Sequence, residues 1–301
     1  MTASALTGLW PPVATPFAAD GSVATAQLLQ HSRTLLDEGA SGLAILGTTS
    51  EANSLTLDER RGVIDAHVDA GIPAAQLLPG TGACAVDDVV ALSRHAGEIG
   101  AAGVLLLPPF YYKGVTDEGL FTFVAQVIER CGGSVPRIML YHIPPMAAVG
   151  WSHELIARLI EAFPEVIVGM KDSSGDKDHT LRTIDAFPDF SVLPGAEVYL
   201  LEALQRGARG CISATANINA RAIVKLLASK DSAEAPQLQA QLNAVRLAVQ
   251  SRGLIPAGKA VLAARYGDKT WLNVRPPLLP ASAEVQAELA AEAALAPLIA
   301  T

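Results

Sequence analysis

A closed barrel of eight β/α units, a (β/α)8 TIM barrel, with three helices appended at its C-terminal end is the α/β architecture that three features predict. Short apolar, β-branched runs alternate with amphipathic helical windows through residues 1–230, as parallel strands joined by crossover helices require. Eight such units occur, the number that closes a barrel, in a length that α/β barrels reach as one domain. No strand run is followed by GxGxxG or GxxxxGK[ST], which counts against an open nucleotide-binding sheet.

The units follow one another closely. Residues 10–17, rich in proline, form a first extended segment; 25–38 are helical and Gly39 stops them. A second strand run covers 42–46, and Thr56-Leu57-Asp58-Glu59 opens a helix to residue 70 with a capping-box pattern. Strand runs at 76–79, 104–107, 137–141 and 166–170 are followed by helical windows at 86–99, 117–130, 153–162 and 177–186. The seventh and eighth runs, 190–193 and 210–213, each precede a helix. Beyond about residue 232 the strand signal stops. Alanine-rich windows at 233–252, 256–266 and 282–295, broken by Gly253 and by Pro276, Pro277 and Pro280, predict a separate helical domain over 231–301.

Composition narrows the function classes. Half of the residues are hydrophobic and 17% charged, so a large core is expected, with some surface left for a homo-oligomer. A net charge of −8 argues against nucleic acid or an anionic membrane as partner. Cys84, Cys131 and Cys211 show no CxxC spacing, which fits a reducing cytoplasm and neither a disulfide framework nor a zinc site. No signal-peptide pattern opens the chain and no apolar run approaches membrane length. The six histidines lack HxH or HExxH spacing, so a metal-dependent aldolase is not expected.

Barrel chemistry sits at the C-terminal ends of the strands. The polar residues there are Gly47-Thr48-Thr49-Ser50-Glu51, Gly80-Thr81-Gly82, Phe110-Tyr111-Tyr112, Tyr141, Lys171 with Ser173 in the turn behind it, Glu197, and the stretch from Ser213 to Asn217. Of seven lysines, Lys171 alone ends an apolar strand run; the other six stand in polar or helix-like surroundings where an ammonium is expected to reach water. An apolar site disfavours the ammonium form, and the free amine is what attacks a carbonyl. The bland alternative is a lysine that snorkels outward or pairs with Asp172. Tyr141, Thr48 and Thr49 likewise have plain readings, as a strand-end aromatic and as turn hydroxyls. Together they suit a pyruvate-like 2-oxo acid: Thr48 and Thr49 as a carboxylate cradle, Lys171 as the amine that forms an imine, Tyr141 as the proton carrier. A protonated imine is itself the electron sink, so no cofactor is required. His142 should point away from Tyr141 as a core residue, Cys211 should be a small buried hydrophobe, and Asp172 and Asp176 should cap the turn and the next helix.

The motifs GTTSE, GTG, PPFYYK, YHIP, GMKDSSGD and CISATANIN stand in an order and spacing that resemble the dihydrodipicolinate synthase and N-acetylneuraminate lyase family over nearly the whole chain. The resemblance implies the same barrel with a helical C-terminal domain, commonly a homotetramer. It also implies that Lys171 forms the Schiff base, that Tyr141 is the general acid/base, and that Thr48 and Tyr112 complete a hydroxyl relay, Tyr112 reaching in from a neighbouring subunit. Thr49 would bind the carboxylate, and the Ile212 carbonyl would lie near the imine.

Departures from the family pattern bear on substrate. The synthases carry an arginine shortly after the YN[VI]P turn; here Tyr141-His142-Ile143-Pro144 leads to Pro145 and Met146, which cannot pair with a carboxylate. Neuraminate lyases carry an acidic pair after the seventh strand, whereas only Glu197 is acidic here, followed by Val198. Ser50 replaces a glycine common in the family and is expected to narrow the site. The reading is a class I aldolase for a 2-keto-3-deoxy sugar acid. Alternatives are condensation of pyruvate with aspartate semialdehyde, a dehydratase using the same imine, and a non-catalytic 2-oxo-acid sensor.

Overall fold

The computed structural model describes residues 6–299. In chain order its elements are β1 (Gly8–Leu9), α1 (Thr25–Asp37), α2 (Leu57–Asp69), α3 (Val86–Glu98), β2 (Val104–Leu106), α4 (Asp117–Cys131), β3 (Ile138–His142), α5 (Pro144–Ala147), α6 (His153–Ala162), β4 (Ile167–Asp172), α7 (Lys177–Ala186), β5 (Ser191–Pro194), α8 (Leu200–Arg206), β6 (Gly210–Cys211) and α9 (Ala216–Ala228). The C-terminal helices are α10 (Ala235–Gln250), α11 (Leu254–Tyr266), α12 (Ala283–Ala291) and α13 (Ala296–Ile299).

All paired strands are parallel: β2, β3, β4 and β5 are neighbours in that order, and β1 pairs with β6. The ring closes through backbone hydrogen bonds of 3.1 Å or less. Arg209 N donates to Val192 O, Trp10 N to Cys211 O, Ser41 N to Leu9 O, Leu43 N to Gln76 O and Ala102 N to Leu77 O, joining the eight strand positions of a TIM barrel. The expected second and third strands are reduced to single bridges, Leu43 with Leu77 and Gly80 with Leu105. Pro73 and Pro79 remove donors from one of them, and Leu46 turns the other aside with φ 59°. The first strand lies upstream of the predicted segment, because Pro11, Pro12 and Pro16 cannot donate to a ladder; Phe17 makes only a bridge to Val23.

Side chains alternate as period 2 demands. Ala44, Leu78, Leu105, Met139 and Leu193 pack with Ile212 in the barrel interior, while Leu43, Leu77, Val104, Leu106, Leu140 and Val192 face the helical shell. Helix boundaries match the expected windows closely. The Thr56 capping box forms, Thr56 Oγ1 accepting from Glu59 N and Glu59 returning the bond, which contributes about 1 kcal/mol. The last predicted helix, 282–295, instead ends at Ala291 as α12, and the short α13 follows beyond the predicted window.

The C-terminal helices cover one end of the barrel wall. Val249, Val261, Leu262 and Trp271 pack on Ala14 and Ile218, while Leu238 and Leu242 of α10 join the core of the barrel shell. His31 is one buried polar link. Its Nε2 donates to Asn217 Oδ1 (3.0 Å), its Nδ1 accepts from Tyr266 Oη (2.8 Å), and its ring meets Trp271 edge-on at 5.0 Å. That arrangement needs a neutral ring, and burial pulls its pKa from the ordinary 6.5 to about 4. A depressed pKa contributes stability that is present above pH 6.5 and lost as pH falls toward 4, about 3 kcal/mol at the limit. The urea midpoint is therefore expected to drop between pH 7 and pH 5. His31→Gln should flatten that dependence; an unchanged pH slope in the variant would contradict the assignment.

Candidate active site

Tyr141 and Lys171 are Cα partners in the register of β3 and β4, so two adjacent strands deliver them side by side. Both lie in the inward phase of their strands. Lys171 is 3% exposed, and its Nζ stands 4.1 Å from the centroid of the Tyr141 ring. No carboxylate pairs with Lys171 among the described residues. Asp172, one residue on, faces the helical shell, where its oxygens accept from Ser174 N (2.9 Å), His179 Nδ1 and Thr180 Oγ1 (both 2.8 Å). Burial pushes Asp172 up, but the bonds from His179, Ser174 and Thr180 outweigh it and leave the carboxyl below its ordinary value. The strand alternation thus excludes the pairing that a plain reading of Lys171-Asp172 would suggest.

The Tyr141 hydroxyl reaches Thr48 Oγ1 at 3.0 Å, and the indole of Trp151 donates to the Tyr141 carbonyl at 3.1 Å. The turn carrying Thr48 has its own logic. Gly47 O accepts from Ser50 N and Ala52 N, and Thr48 O accepts from Glu51 N. In a trans peptide the N–H points opposite to the C=O. The N–H groups of Thr48 and Thr49 consequently point away from the turn, and neither donates to an acceptor among the described residues. They are available to an anion. The neighbouring turn must come close, since a Cβ on Gly80 would collide with Leu46 O.

The remaining expected residues are placed as follows. Ile212 is buried in the barrel interior, its N–H donating to Pro194 O at 3.0 Å while its carbonyl accepts nothing among the described residues. Ser173, expected to bind substrate, packs its hydroxyl where a Cβ on Gly195 would sit, and its N–H donates to His142 O (2.7 Å), so within this chain it buttresses the exit of β4. Asp176 caps α7 through His179 N (3.0 Å). Cys211 is fully buried; burial, and Glu197 beside it, push its thiol up, and it stays a small apolar filler. His142 faces outward, accepting from Trp151 N through Nδ1 (3.0 Å), and burial pulls it down to about 4. His142, Asp172 and His179 lie near one another, but the two imidazoles are stacked, 4.5 Å apart and 8° from parallel. Their ring-plane lone pairs cannot converge on one ion.

Three expectations need correction. Glu197 does not present a carboxylate to a substrate. It is fully buried, one oxygen taken by Ser213 Oγ and the other by Thr215 Oγ1, with Arg246 Nη1 at 3.7 Å. Ser50 does not narrow the mouth, because its hydroxyl donates to Val13 O (2.6 Å) and accepts from Gly47 N (3.2 Å) behind the turn. Tyr112, expected to act from a neighbouring subunit, is 75% exposed with its ring edge-on to Tyr111. Lys171 is also not the one buried lysine, since Lys259 of α11 is 1% exposed, its Nζ bonded to Glu51 Oε1 at 2.7 Å. Met146, on α5, is 69% exposed and holds no polar contact.

The structure adds three residues the sequence did not single out. Besides Lys259, Arg246 reaches Ser213 Oγ (3.2 Å) from α10. Arg60 of α2 is buried against Gly80 O (2.8 Å) and Gly82 O (3.2 Å), bordering a small cavity beside Thr48 and Tyr141, and burial pulls it down to about 10. A cation inside an alanine-rich or capped helix gives a local signal only when its helical phase is checked against the apolar face.

The sequence profile of the Dihydrodipicolinate synthetase family matches residues 5–296. The chain belongs to this family. It is 33% identical over 294 residues to an uncharacterized DapA-like lyase from Chloroflexus aurantiacus, covering 94% of this chain and 95% of the relative. The structure is similar to dihydrodipicolinate synthase from Agrobacterium tumefaciens (TM-score 0.89, 31% identity, 97% and 99% of the two chains). It is also similar to YagE, a prophage protein of the dihydrodipicolinic acid synthase family from E. coli K12 in complex with pyruvate (TM-score 0.86, 28% identity, 97% and 98%). The chain is thus a family aldolase/lyase, an enzyme of the carbon–carbon lyase type. Among the described residues no helix is long and apolar enough to cross a membrane.

Tyr141→Phe removes the hydroxyl that meets Thr48 and leaves the ring beside Lys171. Its kcat is expected to fall by about 10²–10⁴-fold with KM changed little. A kcat within a few-fold of the parent enzyme would remove Tyr141 from proton transfer.

Proposed function

We propose that the protein is a Schiff-base aldolase that cleaves, or reversibly forms, a 2-keto-3-deoxy sugar acid from pyruvate and an aldehyde. The observation that carries this is an amine buried without a carboxylate partner against the ring of Tyr141, whose hydroxyl meets Thr48 in the turn that carries two outward-pointing amides. In the cleavage direction the Lys171 amine adds to the C2 ketone and the Tyr141 hydroxyl, bonded to Thr48, gives its proton to the departing water, leaving a protonated imine and a tyrosinate. The tyrosinate takes the C4 hydroxyl proton; the C3–C4 bond pair moves into the imine and the aldehyde departs. Tyr141 returns that proton to C3 of the enamine, and water adds to the imine to release pyruvate and the free amine, its surplus proton restoring the Tyr141 hydroxyl. The N–H groups of Thr48 and Thr49 hold the carboxylate throughout.

The complex of YagE with pyruvate supports the 2-oxo acid half of this reading. For the other half, Met146 occupies the exposed rim after β3 and offers no charge to a carboxylate, while the nearby Lys113 ammonium is engaged by the Phe110 and Ala147 carbonyls, which disfavours an aldehyde bearing a carboxylate. The proposed assembly is a homotetramer, in which the exposed Tyr111–Tyr112 pair packs on a neighbour and Tyr112 joins the relay.

The test is pyruvate release from a panel of five- and six-carbon 2-keto-3-deoxy acids. The enzyme should release pyruvate from at least one of them, and Lys171→Ala should reduce release to background. Efficient condensation of pyruvate with aspartate semialdehyde by the unmodified protein would replace this reading with the synthase one. Met146→Arg is expected to raise that condensation from a low level.

A further inference from the structure

Glu51 follows the Thr48-Thr49-Ser50 turn with φ 57° and ψ 32°, a left-handed conformation that a glutamate does not adopt unless its surroundings impose it. What imposes it comes from far along the chain. Glu51 Oε1 accepts from Lys259 Nζ at 2.7 Å, both side chains being 1% exposed, and Glu51 Oε2 accepts from the backbone N–H of Arg275 at 2.8 Å. The Lys259 ammonium and the Arg275 guanidinium also lie over the Phe17 ring, 4.5 and 4.8 Å from its centroid. Lys259 stands on α11 of the C-terminal helices, where its neighbours Ala257, Ala260, Val261 and Leu262 are buried.

The backbone of Glu51 is what reaches the site. Its N–H donates to Thr48 O at 3.0 Å. That bond fixes the plane of the peptide joining Thr48 to Thr49, and a fixed plane fixes the direction of the Thr49 N–H. We propose that Lys259 is a positioning residue for the carboxylate-binding turn. By holding Glu51 in its left-handed conformation, it keeps the Thr48–Thr49 peptide turned so that Thr49 N–H faces the substrate's carboxylate. The proposal rests on the 2-oxo acid reading above and assigns a task in it to the C-terminal helices. A buried ion pair adds little stability over apolar residues of the same size, whereas it fixes geometry, and the side chain it fixes here belongs to the residue bonded to Thr48 O.

The experiment measures borohydride-trapped pyruvate against pyruvate concentration, together with the thermal midpoint. Lys259→Met is expected to raise the half-saturating pyruvate concentration about tenfold or more, while the trapped amount at saturation stays near the parent value. Lys259→Arg, whose guanidinium can still bond Glu51, should restore most of the affinity. A lowered midpoint with an unchanged half-saturating concentration would make the pair a structural link only and overturn the proposal. Should Lys259→Met not fold, Glu51→Gln decides on the same two readings, because it keeps the side chain's shape and removes its charge. Absence of any pyruvate adduct in the unmodified protein would overturn the 2-oxo acid reading and this proposal with it. An adduct in the unmodified protein with no affinity change in the variants would overturn this proposal alone.

Discussion

Lys171 and Tyr141 share a register position on two parallel strands, and much of the architecture follows from keeping that pair intact. The inward phase that buries Lys171 also sends Asp172 outward, so the adjacent carboxylate is held by His179, Thr180 and Ser174 and not by the amine. The same alternation places His142 outside, where its bond from Trp151 and the Trp151 indole on the Tyr141 carbonyl clamp the end of β3. A buried amine with an aromatic face and no carboxylate is costly to maintain, and such exceptions concentrate at functional sites.

The contrast with Lys259 makes the point sharper. Two lysines are buried to nearly the same degree, yet one faces a tyrosine ring, and the other is matched to a carboxylate at hydrogen-bond distance. Burial by itself does not distinguish them; the partner that each amine faces does. The C-terminal helices use their buried cations in the second way. Lys259 meets Glu51 behind the Thr48–Thr49 turn, and Arg246 meets Glu197 and Ser213 behind β6, so two exits of the barrel are braced from outside.

The sequence made β3 and β4 legible, because both are continuous apolar runs, despite the register shift that leaves Val168 unpaired, and the helices that follow have clear caps at Ser152 and Asp176. The runs at 42–46 and 76–79 were less legible, since prolines and the turn at Leu46 reduce them to isolated bridges that only the closed ring sustains. Within the site, Lys171, Tyr141 and Thr48 could be found from strand exits alone. Glu197 could not be read correctly, because the hydroxyls and the guanidinium that saturate it come from 16 to 49 residues away in the chain. Lys259 escaped for the same reason: its small-residue, apolar helix marks no clear polar face locally, and the carboxylate that buries it lies 208 residues upstream.

The most direct measurement is borohydride reduction in the presence of pyruvate followed by peptide mass mapping. The peptide containing Lys171 should carry the reduced pyruvate adduct, and the peptide containing Lys259 should stay unmodified. An adduct on any other lysine, or none at all, would contradict the claim that the buried amine without a counter-ion is the nucleophile.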